Sequence, residues 1–182
     1  MSYATAASDY RDFYILAGTA AATLVGLLFV GLSLHLRTVI AVTEVRSLAR
    51  VTLANFGAVL FVTLFMVIAE DQSTAAFQLI GVGVISLIVA APALVVAARN
   101  EGNTLQMALG DRARLVMRFG LSYAAYVAFV GAGILLLSSQ VSAFAVVLVA
   151  AIVVLLVVSL RNTWDLLVTV GEVTLGSGQG KD

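Results

Sequence analysis

The sequence predicts an all-α integral membrane protein, a helical bundle of five transmembrane helices. Of its 182 residues, 62% are hydrophobic and 11% are charged, whereas soluble domains average about 45–50% apolar and about 25% charged residues. The apolar residues form five long runs that contain no Asp, Glu, Lys or Arg. The runs also lack the strict alternation of a membrane β-barrel strand. One soluble core of this size could not bury so much apolar surface, so the membrane is the expected environment.

The five predicted spans are residues 13–36, 51–69, 75–98, 119–137 and 141–160. At 1.5 Å per residue, a helix of about 20 residues crosses a hydrocarbon core of about 30 Å. The first run is longer than the apolar region of about 7–15 residues in a signal peptide. Asp9, Arg11 and Asp12 precede it in place of a basic segment. We therefore expect this run to remain as a span.

Residues 1–170 are predicted to form a single transmembrane domain. Span five is expected to continue as a helix past Arg161 and to end at Gly171, since glycine favours helix C-termini. The glycine-rich residues 171–182 are predicted to be a disordered tail.

The basic residues predict the orientation of the chain. Arg11 is the only basic residue on one side of the membrane, because the second and fourth connections have none. The other side carries Arg37, Arg46, Arg50, Arg99, Arg112, Arg114, Arg118, Arg161 and Lys181. Cytoplasmic loops are enriched in Lys and Arg. The N-terminus is therefore expected outside and the C-terminus in the cytoplasm.

Span one contains a ladder of small residues at Gly18, Ala22 and Gly26. Small residues allow two membrane helices to approach closely. The ladder is a candidate helix interface, either within one subunit or between subunits.

Span two contains a polar stripe formed by Thr52, Asn55, Val59, Thr63, Met66 and Glu70, and Asp71 follows it. These residues follow one another at intervals of 3, 4, 4, 3 and 4, so they share one face of a helix. A polar face that ends in carboxylates could line a cation path. The alternative is that Thr and Asn bond to neighbouring helices while Glu70 and Asp71 are solvated turn residues.

The cytoplasmic ends of spans one and five contain a candidate latch of His35, Arg161, Asn162, Trp164 and Asp165. Arg161 and Asp165 are four residues apart and can pair along a helix. Trp164 suits the headgroup level of a membrane. The segment could instead be an interfacial anchor.

Enzymatic chemistry finds no support in the sequence. The chain has no cysteine and one histidine. Ser33 and His35 are two residues apart, so on a helix they point about 200° apart and cannot act as a nucleophile and its base. No metal-ligand cluster or phosphate-binding loop is present, so no cofactor is expected. The net charge is zero, which argues against nucleic acid as a partner.

Residues 24–36 (LVGLLFVGLSLHL) and 162–168 (NTWDLLV) carry a resemblance to a known family. They resemble the two ends of small uncharacterised bacterial membrane proteins, some of which are labelled modulators of a membrane protease. The resemblance implies a multi-pass protein of the bacterial inner membrane, and it implies no catalytic residues.

Two functions are consistent with these features. The first is a symmetric homo-oligomer that forms a passive cation channel lined by span two or span one, since cyclic symmetry supplies one lining helix per subunit. The second is an accessory or regulatory protein that docks on a larger membrane complex and conducts nothing. A proton-coupled transporter is disfavoured because no ionisable residue lies near the middle of a span.

Overall fold

The computed structural model describes residues 2–34, 43–68, 71–101 and 120–178, and all regular structure in these ranges is helical. The helices are α1 (Tyr3–Asp9), α2 (Arg11–Leu34), α3 (Thr43–Ile68), α4 (Gln72–Glu101), α5 (Leu121–Leu137) and α6 (Val141–Gly178). The predicted all-α fold is confirmed.

Four of these helices are long and apolar enough to cross a membrane. The qualifying segments are Arg11–Leu34, Val45–Ile68, Gln72–Pro92 and Val141–Val168. Helix α5 is apolar and has 17 residues, which corresponds to a length of about 26 Å. It begins at Leu121. The fourth predicted span begins two residues earlier, at Phe119, which lies outside the described residues. The helices thus agree with the predicted bundle of apolar spans.

Four of the long helices form a ring in which each packs against two neighbours. The neighbouring pairs are α3–α4, α4–α5, α5–α6 and α6–α3. Helix α2 lies outside this ring and packs mainly against α3. The short helix α1 contacts α2 and α6. Helix α3 is consequently covered by α2, α4 and α6 and is the most central element.

The outer surface of the bundle is a belt of large apolar side chains. Leu16, Phe29, Phe77, Ile88 and Val146 are among those more than half exposed. Exposure of such a surface to water is unfavourable, whereas lipid acyl chains are as apolar as these side chains. The belt therefore indicates contact with a lipid bilayer.

Helix ends follow local capping chemistry at two places. The Ser2 Oγ accepts a hydrogen bond of 3.2 Å from the Thr5 backbone N–H at the start of α1, as an N-cap does. Helix α5 ends where Ser139 adopts a positive φ of 59°. Gln140 then begins the approach to α6, with its N–H bonded to the Leu135 carbonyl. Residues 138–140 thus form the turn between the fourth and fifth predicted spans.

The predicted end of the last helix is wrong. Helix α6 passes through Gly171 and continues to Gly178. A glycine inside a helix costs only about 1 kcal/mol relative to alanine, so Gly171 alone does not stop the helix. The residues from 171 to 178 are therefore helical, and residues 179–182 lie outside the described residues.

The orientation of the bundle remains a prediction that labelling can test. The chain has no cysteine, so single-cysteine variants report one position each. Ser142 is exposed at the start of α6. We expect a membrane-impermeant maleimide to label the Ser142→Cys variant from outside intact cells. A cysteine appended after Asp182 should react only after permeabilisation. Labelling of both positions from the same side would contradict the predicted topology.

Candidate functional site

The polar stripe of α3 lies inside the bundle. Thr52, Asn55, Val59, Thr63 and Met66 are each between 0% and 4% exposed. The five residues thus share one buried face of α3, as their spacing predicts. Because the stripe is covered by the same chain, none of these five side chains is exposed to a path between subunits. Glu70, the sixth member, lies outside the described residues.

Asn55 is the centre of a hydrogen-bond network that crosses the ring of helices. Its Nδ2 donates to the Ser122 Oγ at 2.9 Å, and the Tyr126 hydroxyl donates to its Oδ1. Both partners belong to α5, which is diagonal to α3 in the ring. All three residues are at most 1% exposed. Buried polar groups are stable when they are paired in this way, so the network fixes how α3 and α5 face each other.

The two threonines of the stripe bond to their own helix. The Thr52 Oγ1 donates to the Leu48 carbonyl at 2.8 Å, and the Thr63 Oγ1 donates to the Val59 carbonyl at 2.8 Å. Threonine hydroxyls in membrane helices commonly bond to a carbonyl one turn earlier. Their hydroxyl protons are therefore satisfied without any ion or solvent.

Asp71 caps the N-terminus of α4. Its carboxylate accepts hydrogen bonds from the Ser73 hydroxyl at 2.6 Å and from the Thr74 backbone N–H at 2.9 Å. These bonds, the Ser73 bond first, lower the pKa of Asp71 from 3.8 to about 2. The carboxylate is exposed, yet its contacts are those of a helix cap. These contacts agree with the alternative interpretation, in which Asp71 is a solvated turn residue and not part of a cation path.

This cap makes the stability of α4 depend on pH. The folded-state pKa is depressed, so the ionised cap stabilises the fold above the unfolded pKa near 3.8, and this contribution is lost as the pH falls toward about 2. We expect Asp71→Ala to lower the melting temperature at pH 7, with the difference from the parent shrinking between pH 4 and 2. Thermal unfolding in detergent measures both quantities.

Asp71→Asn is the matched control for this prediction, because asparagine caps helices without titrating. Its melting temperature should remain close to that of the parent at pH 7. Relative to this variant, the parent should lose stability as the pH falls toward about 2. A parent and an Asp71→Asn variant with the same pH dependence would contradict the capping role.

The small-residue ladder of α2 divides between two environments. A Cβ on Gly18 would lie 2.6 Å from the Thr63 Oγ1, so Gly18 permits the close packing of α2 on α3. Ala22 is exposed, and a Cβ on Gly26 would meet no atom within 4 Å. Gly18 is thus an interface residue within the chain, whereas Ala22 and Gly26 lie on an open surface.

The open surface of α2 also carries hydroxyl groups. Thr19, Thr23 and Ser33 are exposed, and each hydroxyl donates to a carbonyl of α2 at 2.8–2.9 Å. The oxygen of each hydroxyl keeps further acceptor capacity. We call the exposed set of Thr19, Ala22, Thr23, Gly26 and Ser33 the α2 outer face. It consists of small and hydroxyl-bearing residues, between the large apolar side chains that α2 also exposes.

Two glycines outside the small-residue ladder, Gly83 and Gly133, permit close packing of α4 on α5. A Cβ on Gly83 of α4 would lie 2.7 Å from Val130 Cγ2 and 3.0 Å from the Tyr126 carbonyl oxygen. A Cβ on Gly133 of α5 would lie 2.6 Å from Ile80 Cγ1 and 2.8 Å from the Ala76 carbonyl oxygen. The contacts are reciprocal across α4 and α5. Small residues at such crossings are a common basis of membrane helix packing.

The candidate latch in the C-terminal half of α6 is only partly described, because His35 lies outside the described residues. Asn162 is 1% exposed, and neither its Oδ1 nor its Nδ2 has a hydrogen-bond partner. Arg161 is exposed, Asp165 is half-buried and Trp164 is 69% exposed. Helical spacing places Arg161, Trp164 and Asp165 on one side of α6, whereas Asn162 is directed into the bundle. The contact with span one remains a prediction.

An apolar cleft separates α2 from the C-terminal half of α6. It has a volume of about 160 Å³ and is lined by Leu24, Leu27, Leu28, Gly31, Leu32, Thr163, Leu166 and Leu167. Thr163 is its polar residue, and the Thr163 hydroxyl donates to the Ser159 carbonyl at 2.8 Å. The cleft therefore has little capacity to orient a polar substrate.

Metal-binding groups of three or more His, Cys, Asp or Glu residues do not occur within the described ranges. Comparisons with protein-family models, with curated proteins and with solved structures found no significant match. The family resemblance noted in the sequence therefore remains a prediction.

Proposed function

We propose that this protein is a non-conducting accessory or regulatory protein of a membrane, and that it docks laterally on another membrane protein through the α2 outer face. The exposure of this face supports the proposal. Within the described chain, α2 packs mainly against α3, and its small residues Ala22 and Gly26 remain uncovered. Small residues on a membrane-exposed helix suit close contact with another helix.

The hydroxyl groups of this face fit the same role. Thr19 and Thr23 already donate to their own helix, so lipid contact leaves no donor unpaired. Their oxygens can still accept a hydrogen bond from a partner helix. Model studies assign about 1–2 kcal/mol to such interhelical bonds at most, so they would add specificity to a packing contact.

Site-directed photo-crosslinking tests this proposal. A benzophenone maleimide attached to Ala22→Cys is expected to give a discrete adduct in native membranes. The same probe on Ile88→Cys, which lies on the exposed side of α4, is the control and should give only lipid adducts. Introducing Gly26→Leu should abolish the adduct, because the added bulk separates the helices. An adduct that persists with Gly26→Leu would contradict docking at this face.

The mass of the adduct identifies the partner. An adduct at twice the mass of the chain would show self-association, and any other discrete mass would show a different membrane protein. Equal adducts from Ala22→Cys and Ile88→Cys would contradict a specific docking face.

A passive cation channel is the second candidate, and the hydroxyl row of the α2 outer face is the observation that favours it. In a symmetric homo-oligomer, Thr19, Thr23 and Ser33 would place oxygen ligands along an axis. Of the two lining helices considered, α2 is the one whose polar face is exposed.

Flux measurement separates the two candidates. A channel lined by α2 predicts cation flux in liposomes that contain the purified protein, and Thr23→Trp should block it. The accessory proposal predicts no protein-dependent flux before or after this change. Flux that Thr23→Trp abolishes would overturn the accessory proposal.

A further inference from the structure

Helix α3 carries a second row of residues on the side opposite its polar stripe. This outward strip consists of Arg46, Arg50, Ala54, Gly57, Phe61, Leu64 and Ile68, at intervals of 4, 4, 3, 4, 3 and 4 residues. Such intervals place the row along one helix face. Arg46 and Arg50 are exposed, and Phe61, Leu64 and Ile68 are 51%, 47% and 61% exposed.

Within the described chain, α2, α4 and α6 pack against α3. The arginines and the large apolar residues of the strip remain exposed, whereas Ala54 and Gly57 are half-buried. The side chains in the middle of the strip project little from the helix, because Ala54 and Gly57 are small. A Cβ on Gly57 would meet no atom within 4 Å. The strip therefore combines two guanidinium groups at one end with small apolar residues beside them, and there is room for an apolar group above Gly57.

We propose that the outward strip binds one anionic phospholipid of the leaflet at the N-terminal end of α3. The lipid phosphate lies between Arg46 and Arg50, and one acyl chain follows Ala54 and Gly57 toward Phe61. This inference is independent of the docking role proposed for α2.

The spacing of the two arginines suits a phosphate group. They are four residues apart, which is about 6 Å along the helix. Arginine presents a planar fork of donors that matches phosphate oxygens. Arg50 directly precedes the apolar run that begins at Val51. Its long side chain can reach the headgroup level while its stem stays in an apolar environment.

The charge of the site selects anionic over zwitterionic lipid. Zwitterionic headgroups carry a cation that offsets the phosphate charge, whereas two arginines leave a local excess of positive charge. Each basic residue near an anionic membrane surface contributes about 1 kcal/mol. The two arginines together are therefore expected to raise the affinity for an anionic lipid roughly thirtyfold.

Native mass spectrometry and thermal unfolding test the proposal. Purified protein is titrated in neutral detergent with phosphatidylglycerol and, separately, with phosphatidylcholine. We expect one retained phosphatidylglycerol and a raised melting temperature, with a much smaller effect of phosphatidylcholine. Arg46→Gln with Arg50→Gln should weaken phosphatidylglycerol binding roughly thirtyfold.

Arg11→Gln with Arg161→Gln is the matched control, because it removes the same charge from exposed residues of α2 and α6. This control should bind phosphatidylglycerol as the parent does. Equal losses in the two double variants would mean non-specific charge attraction and would overturn the site, as would equal binding of the two lipids.

Gly57→Leu tests the acyl-chain part of the site without changing charge. The added side chain occupies the space above Gly57 and should reduce phosphatidylglycerol retention, whereas Gly131→Leu, at an equally open and half-buried glycine of α5, should not. Unchanged phosphatidylglycerol retention with Gly57→Leu would contradict the placement of an acyl chain along the strip. Arg46→Lys with Arg50→Lys should recover only part of the affinity, since lysine lacks the planar fork.

Discussion

Gly133→Val is expected to destabilise the protein more than any other single substitution considered above. The first added atom, Cβ, would lie 2.6 Å from Ile80 Cγ1 and 2.8 Å from the Ala76 carbonyl oxygen. The carbonyl belongs to the backbone of α4 and cannot turn away. Overpacking of this kind costs about 1–3 kcal/mol and occasionally more. The two further methyl groups of valine place the expected loss at the upper end of that range.

Gly131→Ala is the matched control, because it lies two residues away on α5 and a Cβ there would meet no atom within 4 Å. Alanine has a higher helix propensity than glycine by up to about 1 kcal/mol. We therefore expect Gly131→Ala to be neutral or stabilising. Reversible unfolding in mixed micelles measures both variants. Similar losses for Gly133→Val and Gly131→Ala would contradict close packing between α4 and α5.

The sequence could predict the five apolar helices because their signal is local. Runs of about 20 apolar residues have few alternatives to a membrane span. The shared face of the polar stripe was also predictable, because it follows from helical geometry alone. The environment of that face was not predictable, because the burial of Asn55 depends on Ser122 and Tyr126, which are far away in the sequence.

The division of the small-residue ladder has a geometric cause. Each step of four residues turns about 40° beyond a full turn of the helix. Two steps from Gly18 to Gly26 therefore rotate the face by about 80°. Gly18 packs on Thr63 of α3, whereas Gly26 has rotated out to the open surface. The pattern of small residues was correct, but it does not specify one interface.

The glycine pair between α4 and α5 could not be predicted from the sequence. Gly83 and Gly133 are fifty positions apart in the chain, and neither has a small partner four residues away that would mark a ladder. Their importance comes from the Tyr126 and Ala76 carbonyl oxygens that approach them. Such approaches are tertiary contacts, which a single sequence does not encode in a local pattern.

The second large effect is expected at Asn55. Asn55→Leu removes an amide that accepts from the Tyr126 hydroxyl and donates to the Ser122 Oγ. Both hydroxyls would remain buried in the ring without this partner. An unpaired buried polar group costs about 1–3 kcal/mol, although interhelical bonds in membranes average only about 0.6 kcal/mol. We expect a total loss of about 1–3 kcal/mol in the free energy of unfolding.

Thr52→Val separates this network from the rest of the stripe. The Thr52 hydroxyl bonds to a carbonyl of its own helix, so an isosteric valine leaves no distant group unpaired and should cost little. Ser122→Ala with Tyr126→Phe, added to Asn55→Leu, should recover much of the loss, because the stranded hydroxyls are then gone. A triple variant less stable than Asn55→Leu would show that Ser122 and Tyr126 contribute through other contacts. Recovery would instead establish the network as a coupled unit across the diagonal of the bundle.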